Sequence, residues 1–294
     1  MKGVIITNAY YNTEKTVLQA ERIKSELANL GAEVDIIKNS GSFCMVSDTL
    51  ANQFDFDFAI FFDKDVLVAK ALENAGVKVF NSSNAISVCD DKMLTYIMLD
   101  GYGISMPTTL SGSFSYGETK VDQDYLDKVE DLIGEYPIVV KKNSSSLGAG
   151  VYLVGNREDL EKKLNELSGE KYLVQQFIRE SAGTDIRIIV VGGKAVACMK
   201  RESTTDFRSN AELGGKCRPC VPGRKFISVA EKVANILDLD YCGVDLLIKE
   251  EGEPMLCEVN SNAFFHAIES VTGVNVARIY AEHVVNKLNN EARK

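Results

Sequence analysis

The segment GVDLLIKEEGEPMLCEVNSN, residues 243 to 262, constrains the fold more than any other part of the sequence. Two apolar runs flank the polar turn KEEGEP, the pattern of a β-hairpin. A hairpin centred on the middle of that turn places Asp245 opposite Glu258. Side chains alternate between the two faces of a strand, so Asn260 lies on the same face as Glu258. The sequence therefore predicts three oxygen-bearing side chains on one face of a two-stranded ribbon.

This arrangement predicts a metal site. Two opposed carboxylates repel one another in a half-buried hairpin, and a bound cation removes that cost. Carboxylate and amide oxygens suit Mg2+ or Mn2+, ions that commonly share the phosphates of a nucleotide. The predicted ligands are Asp245, Glu258 and Asn260. A solvated hairpin face with incidental acidic residues is the alternative interpretation.

Composition restricts the class of protein. The 294 residues, 45% of them apolar and 26% charged, suffice for two or three globular domains. No apolar run approaches the roughly 20 residues of a membrane span, and the N-terminal run is too short for a signal peptide. Seven irregularly spaced cysteines favour reduced thiols, and a net charge of −9 argues against general nucleic-acid binding. We expect a cytoplasmic protein without membrane or nucleic-acid partners.

The N-terminal part, residues 1 to about 88, alternates strand and helix patterns, which predicts a small parallel α/β domain. Its first strand is not followed by G-x-G-x-x-G, so the dinucleotide fingerprint is absent. The segment DDKMLTYIMLDGYG predicts one linking helix capped by Asp90 or Asp91. The acidic stretch ETKVDQDYLDKVEDLIGEY predicts a solvated helix.

The C-terminal two thirds mix strands and helices. PIVVKKNSSSLGAGVYLV predicts two strands joined by a loop of small residues, and KYLVQQFI predicts another strand. DIRIIVVGGKAVACMKRES predicts a hairpin with a turn at Gly192 and Gly193, because such turns need positive φ. A loose polar segment, residues 204 to 225, precedes a helix, the hairpin of residues 243 to 262 and a final helix. That hairpin, which contains the predicted metal ligands, is called the metal hairpin below.

The loop NSSSLGAG, residues 143 to 150, has the small side chains that allow backbone N–H groups to approach phosphate oxygens. It joins two strands and lacks G-K-[ST], so it is not a P-loop. Lys141 lies at its base, on the face opposite Lys142. The end of LVQQFI could pair with an adenine edge, and Asp185 could accept hydrogen bonds from ribose. Each feature alone also fits an ordinary loop, edge strand or surface acid.

Between Lys200 and Lys225 the sequence is locally basic, which fits either an anion pocket or a basic surface loop. The stretch contains seven cationic residues and three acidic ones. The cationic residues are Lys200, Arg201, Arg208, Lys216, Arg218, Arg224 and Lys225, and the acidic residues are Glu202, Asp206 and Glu212. Cys217 and Cys220 form a C-x-x-C without the further ligands that zinc requires. We expect that pair to be incidental or part of a substrate loop, although a redox pair is possible. His266 either borders an amine pocket or is structural, and His283 is a surface or packing residue.

Taken together, these segments resemble the ATP-grasp superfamily and, more narrowly, the RimK-type carboxylate–amine ligases, which include glutamate ligases acting on a small ribosomal protein. The resemblance runs from about residue 90 to 285. It rests on the motifs CDDK, IVVKK, VQQFIRESAGTDIRIIVVGG, KRES, DFRSN, GVD and CEVN. The resemblance implies an α/β (α+β) ATP-grasp fold, with an N-terminal pre-ATP-grasp domain at 1–88, a lid subdomain at 89–173 and a C-terminal subdomain at 174–294.

The resemblance also implies roles for individual residues. The residues that contact ATP are Lys92, Lys141, Ser145, Ser146, Gly148, Gln176, Phe177, Ile178, Asp185, Arg208, Ser209 and Asn210. The metal ligands are Asp245, Glu258 and Asn260, and the catalytic guanidinium groups are Arg187, Arg201 and Arg208. Gln176 and Phe177 lie at the adenine hinge and Asp185 meets the ribose.

The activity that the resemblance implies is ATP-dependent ligation of a carboxylate to an amine, such as the amine of glutamate, through an acyl phosphate, with Mg2+ or Mn2+. The alternatives are a kinase that uses the same ATP site and a nucleotide-binding protein without catalysis. Many relatives have a small residue, Pro and Gly after the metal-binding Asn, whereas here Asn260 precedes SNAFFHAIE. That departure leaves the acceptor open, and relatives that form dimers or tetramers leave a homo-oligomer possible.

Overall fold

The computed structural model describes residues 1–41, 44–46, 54–117, 119–210 and 214–293. Glu118, the start of the predicted acidic helix, and Glu212, in the basic stretch, lie outside the described residues. Within these ranges, the strands form three sheets, and helices cover their faces.

The N-terminal part is a four-stranded parallel sheet in the order β2-β1-β3-β4. Its elements are β1 (Lys2–Asn8), α1 (Glu14–Asn29), β2 (Glu33–Asn39), β3 (Phe58–Phe62), α2 (Val66–Asn74) and β4 (Lys78–Phe80). Thr13 caps α1 by accepting a hydrogen bond from the Thr16 amide, and Asp65 caps α2 through the Val68 amide. The predicted parallel α/β arrangement of this part of the chain is confirmed.

The linker contains two helices, α3 (Ser83–Asp90) and α4 (Lys92–Leu99), where we predicted one. Asp91 has extended backbone, with φ −103° and ψ 106°, and interrupts the helical path. Its carboxylate accepts a hydrogen bond from the Leu94 amide at 3.1 Å and so caps α4, as predicted. The apolar residues of α3 gave no separate helical signal because that helix has only eight residues.

The second sheet is antiparallel, in the order β5-β8-β6-β7. Its elements are β5 (Thr109–Ser111), α5 (Gln123–Ile133), β6 (Ile138–Lys142), β7 (Val151–Val154), α6 (Arg157–Glu166) and β8 (Tyr172–Gln176). The acidic helix α5 was predicted to be solvated, and this was wrong for one face, which buries Leu126, Val129 and Ile133 in the core of this sheet. Burial of each side chain contributes on the order of 1.5–3 kcal/mol relative to exposure.

The third sheet is antiparallel, in the order β11-β10-β9-β12-β13. Its elements are β9 (Thr184–Val191), β10 (Lys194–Glu202), β11 (Lys216–Pro219), α7 (Arg224–Ile236), β12 (Tyr241–Ile248), β13 (Pro254–Asn260), α8 (His266–Thr272) and α9 (Val276–Glu291). Gly192 and Gly193 have φ of +54° and +75°, as the predicted hairpin turn between β9 and β10 requires. The short elements β11 and α8 were not predicted.

The first and third sheets share one hydrophobic core. Ile23 and Leu27 of α1 lie in the same buried cluster as Tyr241 of β12 and Tyr280 of α9. Asn81, just after β4, donates hydrogen bonds of 2.8 Å to the carbonyls of Tyr241 and Ser261. The N-terminal sheet is therefore fixed against the C-terminal sheet, and the carboxyl ends of its strands face the metal hairpin.

The proposed lid subdomain is the second sheet with its two helices. The predicted boundary at residue 173 falls inside β8, which pairs with both β5 and β6. We propose that the boundary lies after Gln176, because a strand in the middle of a sheet belongs to that sheet's folding unit.

Candidate active site

The hairpin of β12 and β13 brings the three predicted metal ligands together. Asp245 pairs with Glu258, and Gly243 pairs with Asn260, in the predicted register. The Asn260 Nδ2 atom is 3.5 Å from Asp245 Oδ2. A register shift between Asp245 and Leu246 changes the pairing only on the turn side of the site. The three predicted ligands therefore occupy one face of the ribbon.

Asp245 is held by two arginines from neighbouring strands. Arg187 on β9 lies directly beside it and donates from Nε and Nη2 at 2.7 and 2.6 Å. Arg201 on β10 reaches the same carboxylate from Nη2 at 2.9 Å and also binds Asp185, with Nε 2.7 Å from Asp185 Oδ1. The four side chains alternate in sign across β10, β9 and β12.

The side chains at the centre of this network are buried. The Arg201 side chain is only 2% exposed and that of Asp245 4% exposed. Burial alone raises the pKa of Asp245, but the positive charges of Arg187 and Arg201 outweigh it and hold that pKa below the usual range. Arg201, predicted to face the reacting groups, lies between the carboxylates of Asp185 and Asp245 and also lines the smaller cavity described below.

The oxygen donors of this hairpin are already paired with cationic side chains. Glu258 Oε1 is 3.3 Å from the Lys92 ammonium, and Asp245 binds the arginines, so cationic groups already occupy the anionic face. In the described part of the chain, no group of three or more His, Cys, Asp or Glu side chains is arranged to hold a metal ion. A metal there would need Asn260 and oxygens from outside the chain as further ligands, which is the usual habit of Mg2+.

A cavity of about 100 Å³ lies between the lid sheet and the third sheet. Its lining contains most of the predicted ATP-site residues: Lys92, Lys141, Ser145, Gly148, Gln176, Phe177, Ile178, Asp185, Arg208, Ser209 and Asn210, together with Arg201, Asp245 and Glu258. Ser146, Arg187 and Asn260 line a second cavity instead. The structure thus gathers these residues from six strands, one helix and three loops around one space.

Lys141 has an unusual environment within the smaller cavity. Its side chain is buried, with 7% of the residue exposed, and its Nζ lies 4.0 Å from the Cys257 sulfur. Among the described residues, no carboxylate lies within ion-pair distance of it. Burial opposes the charge on Lys141, but Cys257, Tyr96 and Glu258 outweigh this effect and raise its pKa above the usual range. A buried ammonium in this setting suits an anionic ligand such as phosphate.

The small-residue loop is closed over the site by three contacts. Lys92 Nζ donates to the Ser145 carbonyl at 2.8 Å, and Arg208 Nη1 donates to the Gly148 carbonyl at 2.7 Å. Lys64, from the N-terminal part, donates to Ser146 Oγ at 3.0 Å. Leu147 has φ +58° in the middle of the loop, a conformation that non-glycine residues seldom adopt.

The second cavity, of about 370 Å³, lies between the N-terminal sheet and the third sheet. Asn8, Asp63 and Lys64 contribute to it from the N-terminal part, and Arg187, Asn260 and Phe264 contribute from the other side. Asn210 and Glu258 line both cavities, so the two spaces meet there. Sequence analysis missed the N-terminal residues, although each follows or ends a strand at the edge where parallel sheets bind ligands.

The cysteine and histidine residues singled out in the sequence, Cys217, Cys220, His266 and His283, lie outside both linings. The Sγ atoms of Cys220 and Cys198 are 2.7 Å apart, so the close partner of Cys220 is on β10 rather than in the C-x-x-C motif with Cys217. His266 is exposed at the start of α8 and is not in the lining of the larger cavity, so the alternative that it borders an amine pocket there is not supported. His283 Nε2 lies 2.6 Å from Asp240 Oδ1, which agrees with the predicted packing role.

Among the described residues, no helix combines the length and the apolar character needed to cross a bilayer.

Comparisons with known proteins agree with this architecture. A family model described as the RimK-like ATP-grasp domain matches residues 89–284. Human beta-citrylglutamate synthase B is 36% identical over 228 residues, which are 77% of this chain and 58% of that protein. The chain thus spans a little over half the length of that relative.

Two further proteins match over nearly the whole chain. A probable alpha-L-glutamate ligase of Psychromonas ingrahamii is 32% identical, covering 99% of this chain and 97% of that protein. The crystal structure of D-alanine–D-alanine ligase from Bacillus anthracis has a TM-score of 0.76 at 18% identity, covering 100% of this chain and 99% of that one. At that identity the structural likeness shows the ATP-grasp fold alone. From the family match and the full-length relative, we conclude that this chain belongs to the RimK-like ATP-grasp family.

Proposed function

We propose that the chain is an ATP-dependent ligase that joins a carboxylate to an amine and releases ADP and phosphate. The observation that carries this proposal is the junction of the two cavities at Glu258 and Asn210. On one side of that junction lies a buried lysine suited to phosphate, and on the other lies a space of about 370 Å³ suited to small substrates. ATP and an acceptor could therefore meet beside the metal hairpin.

ATP would be positioned by residues of the lid subdomain and of the segments that contact it. Lys141 and Lys92 would neutralise phosphate oxygens, and the backbone of the small-residue loop would approach them closely. Gln176 and Phe177 would border the adenine. Arg201 donates a hydrogen bond to the Asp185 carboxylate. A ribose that contacts Asp185 would therefore share that carboxylate with Arg201. Mg2+ or Mn2+ bound to Asp245, Glu258 and Asn260 would supply charge neutralisation at the transferred phosphoryl group.

The proposed reaction has two steps. A carboxylate oxygen of the first substrate attacks the γ-phosphorus, and the bond to the β–γ bridging oxygen breaks, which gives an acyl phosphate and ADP. The amine nitrogen of the second substrate then attacks the acyl carbon, and phosphate leaves with its electron pair while the nitrogen loses a proton. Phosphoryl transfer of this kind depends mainly on positioning and charge neutralisation, so no covalent protein nucleophile is required. Arg187 lines the larger cavity, of about 370 Å³, and would bind the carboxylate of the first substrate there.

Glutamate is the proposed amino-acid partner. The relatives at 36% and 32% identity are named as a beta-citrylglutamate synthase and as a probable alpha-L-glutamate ligase, and glutamate is common to both names. The segment after Asn260 departs from the pattern of many relatives and places Phe264 in the lining of the larger cavity. The names of the relatives therefore do not identify the second substrate of this chain.

The test is a release assay for ADP and phosphate, with glutamate combined with a panel of amines and carboxylates, and with products identified by mass spectrometry. We expect equal amounts of ADP, phosphate and a condensed product. A stable phosphorylated product formed without an amine would show a kinase instead. Failure to bind ATP in the presence of Mg2+ would contradict both activities.

A further inference from the structure

The larger cavity has one acidic side chain whose charge is not balanced within the protein. Its lining contains four charged side chains: Asp63, Lys64, Arg187 and Glu258. Three of these form ion pairs, Lys64 with Asp90 at 2.5 Å, Arg187 with Asp245 at 2.6 Å and Glu258 with Lys92 at 3.3 Å. In the described part of the chain, Asp63 has no ion-pair partner. The cavity therefore has a place for a positive charge.

Neutral donors hold the Asp63 carboxylate in place. Asn8 Nδ2 lies 3.1 and 3.3 Å from its two oxygens, and Asn39 Nδ2 donates to Oδ2 at 2.8 Å. The Lys64 amide donates to Oδ1 at 2.7 Å. These hydrogen bonds orient the group, but they do not cancel its charge. Asp63 is 7% exposed, and a buried charge without a counter-charge is costly unless a ligand supplies one.

The position of Asp63 points to a ligand rather than to a structural role. Asn8 and Asn39 end β1 and β2, and Asp63 directly follows β3, so all three lie at the carboxyl edge of the parallel sheet. Ligands bind at this edge in open α/β sheets. Across the cavity, Arg187 and Asn260 belong to the metal hairpin and its neighbour, where the carboxylate would be activated. A volume of about 370 Å³ lies within the usual range for small-molecule sites, roughly 300–1,000 Å³.

We propose that Asp63, oriented by Asn8 and Asn39, binds a primary ammonium group on the substrate that donates the carboxylate, so that this substrate is an amino acid or a short peptide. This inference rests on the proposed ligase function. The attacking amine must lose a proton, whereas an ammonium held by a carboxylate stays protonated. The group at Asp63 is therefore one that does not react, and its substrate extends from Asp63 towards Arg187 with its carboxylate at the activation site.

The experiment measures binding rather than turnover. Calorimetric titrations of the wild-type chain use the common L-amino acids and their dipeptides, each compared with its des-amino acid, for example L-glutamate with glutarate and L-alanine with propionate. We expect at least one ammonium-bearing compound to bind roughly tenfold or more tightly than its counterpart. The variant Asp63→Asn should reduce that ratio to about one.

Asp35→Asn is the matched control. Asp35 lies on β2 of the same sheet, its side chain is 74% exposed, and it is not in the cavity lining. The ratio should be unchanged in this variant. ATP affinity of Asp63→Asn, measured in the same titrations, shows whether that variant is folded, and the wild-type ratio tests the proposal independently of any variant.

Three results of these titrations would overturn the assignment. These are a wild-type chain that shows no preference for any ammonium-bearing compound, a preference that persists in Asp63→Asn, and binding of Mg2+ or Mn2+ alone that Asp63→Asn abolishes. Because no turnover is needed, an ammonium preference without any ADP release would reject the ligase activity and leave the ammonium site standing. Amide formation from a carboxylate that lacks an ammonium group would reject only the role of Asp63.

Discussion

The two sheets that border the larger cavity both bury charged side chains, but they compensate them in different ways. In the third sheet, Asp185, Arg201, Asp245 and Arg187 alternate in sign and leave no net charge. In the N-terminal sheet, the carboxylate of Asp63 is held by two asparagine amides and a backbone N–H, and one negative charge remains. The first arrangement fixes geometry without a ligand, whereas the second is complete only when a cationic group is bound.

The largest expected effect follows from removing Arg201, the cationic side chain that Asp185 and Asp245 share. Arg201→Ala leaves Asp185 and Asp245 buried with one partner fewer, which should lower the free energy of unfolding by about 3–5 kcal/mol. Arg218→Ala, on the adjacent strand with 68% of the side chain exposed, should change it by less than about 0.5 kcal/mol. Urea unfolding monitored by circular dichroism measures both, and equal stabilities would show that the network does not stabilise the fold.

The next effect separates the metal site from the ammonium site. Asp245→Asn should weaken Mg2+-dependent ATP binding by roughly 10–100-fold, because a ligand oxygen loses its charge. Asp63→Asn should leave that affinity within about twofold, because Asp63 is not in the lining of the smaller cavity. A magnesium titration of ATP binding makes the comparison. If Asp245→Asn matches the wild type, Asp245 is not a metal ligand.

Acid should weaken the paired network in a predictable direction. The pKa of Asp245 is lowered in the folded state, because the two arginines outweigh the effect of burial. Its contribution to stability is therefore present above the ordinary aspartate pKa of about 4 and is lost as the pH falls through the lower folded-state value. The free energy of unfolding of the wild type should decrease below about pH 4, and the decrease should be shallower in Asp245→Asn. Identical slopes in the two proteins would contradict this.

The smallest effect concerns the loop that bridges the two regions. Arg208→Ala removes the hydrogen bond to the Gly148 carbonyl and should raise KM for ATP by roughly tenfold. Ser146→Ala removes only the exposed contact with Lys64 and should raise it by less than about threefold. Steady-state ADP release at varied ATP gives both values. A larger effect of Ser146→Ala than of Arg208→Ala would mean that the N-terminal part, rather than the DFRSN segment, closes the loop.

The parts of the site that could be predicted depend on local pattern. The pairing of Asp245 with Glu258 follows from the turn and the two-residue period of a strand. The register shift after Asp245 could not be predicted, since Leu246, Leu247, Met255 and Leu256 are apolar in either register. The burial of Lys141 also follows from alternation within IVVKK.

The parts that could not be predicted depend on contacts between distant segments. Asp63 and Asn8 are 55 residues apart, and nothing in either segment indicates that they meet. The pairing of Arg201 with Asp185 depends on the register of β9 and β10, and that of Arg187 with Asp245 depends on the neighbouring position of β12. Sequence analysis therefore identified these charged residues but not the ion pairs that they form with one another. Short elements such as β11 and α8 were missed because four and seven residues contain too little periodicity.

Oxygen-18 transfer tests the central claim most directly, namely that a carboxylate is activated by ATP beside the metal hairpin. The measurement uses the carboxylate substrate identified by the release assay, labelled with oxygen-18 in its carboxyl group, and mass spectrometry of the released phosphate. Activation through an acyl phosphate predicts one labelled oxygen in each phosphate, because the attacking carboxylate oxygen leaves with the phosphorus. Unlabelled phosphate accompanying amide formation would contradict this account.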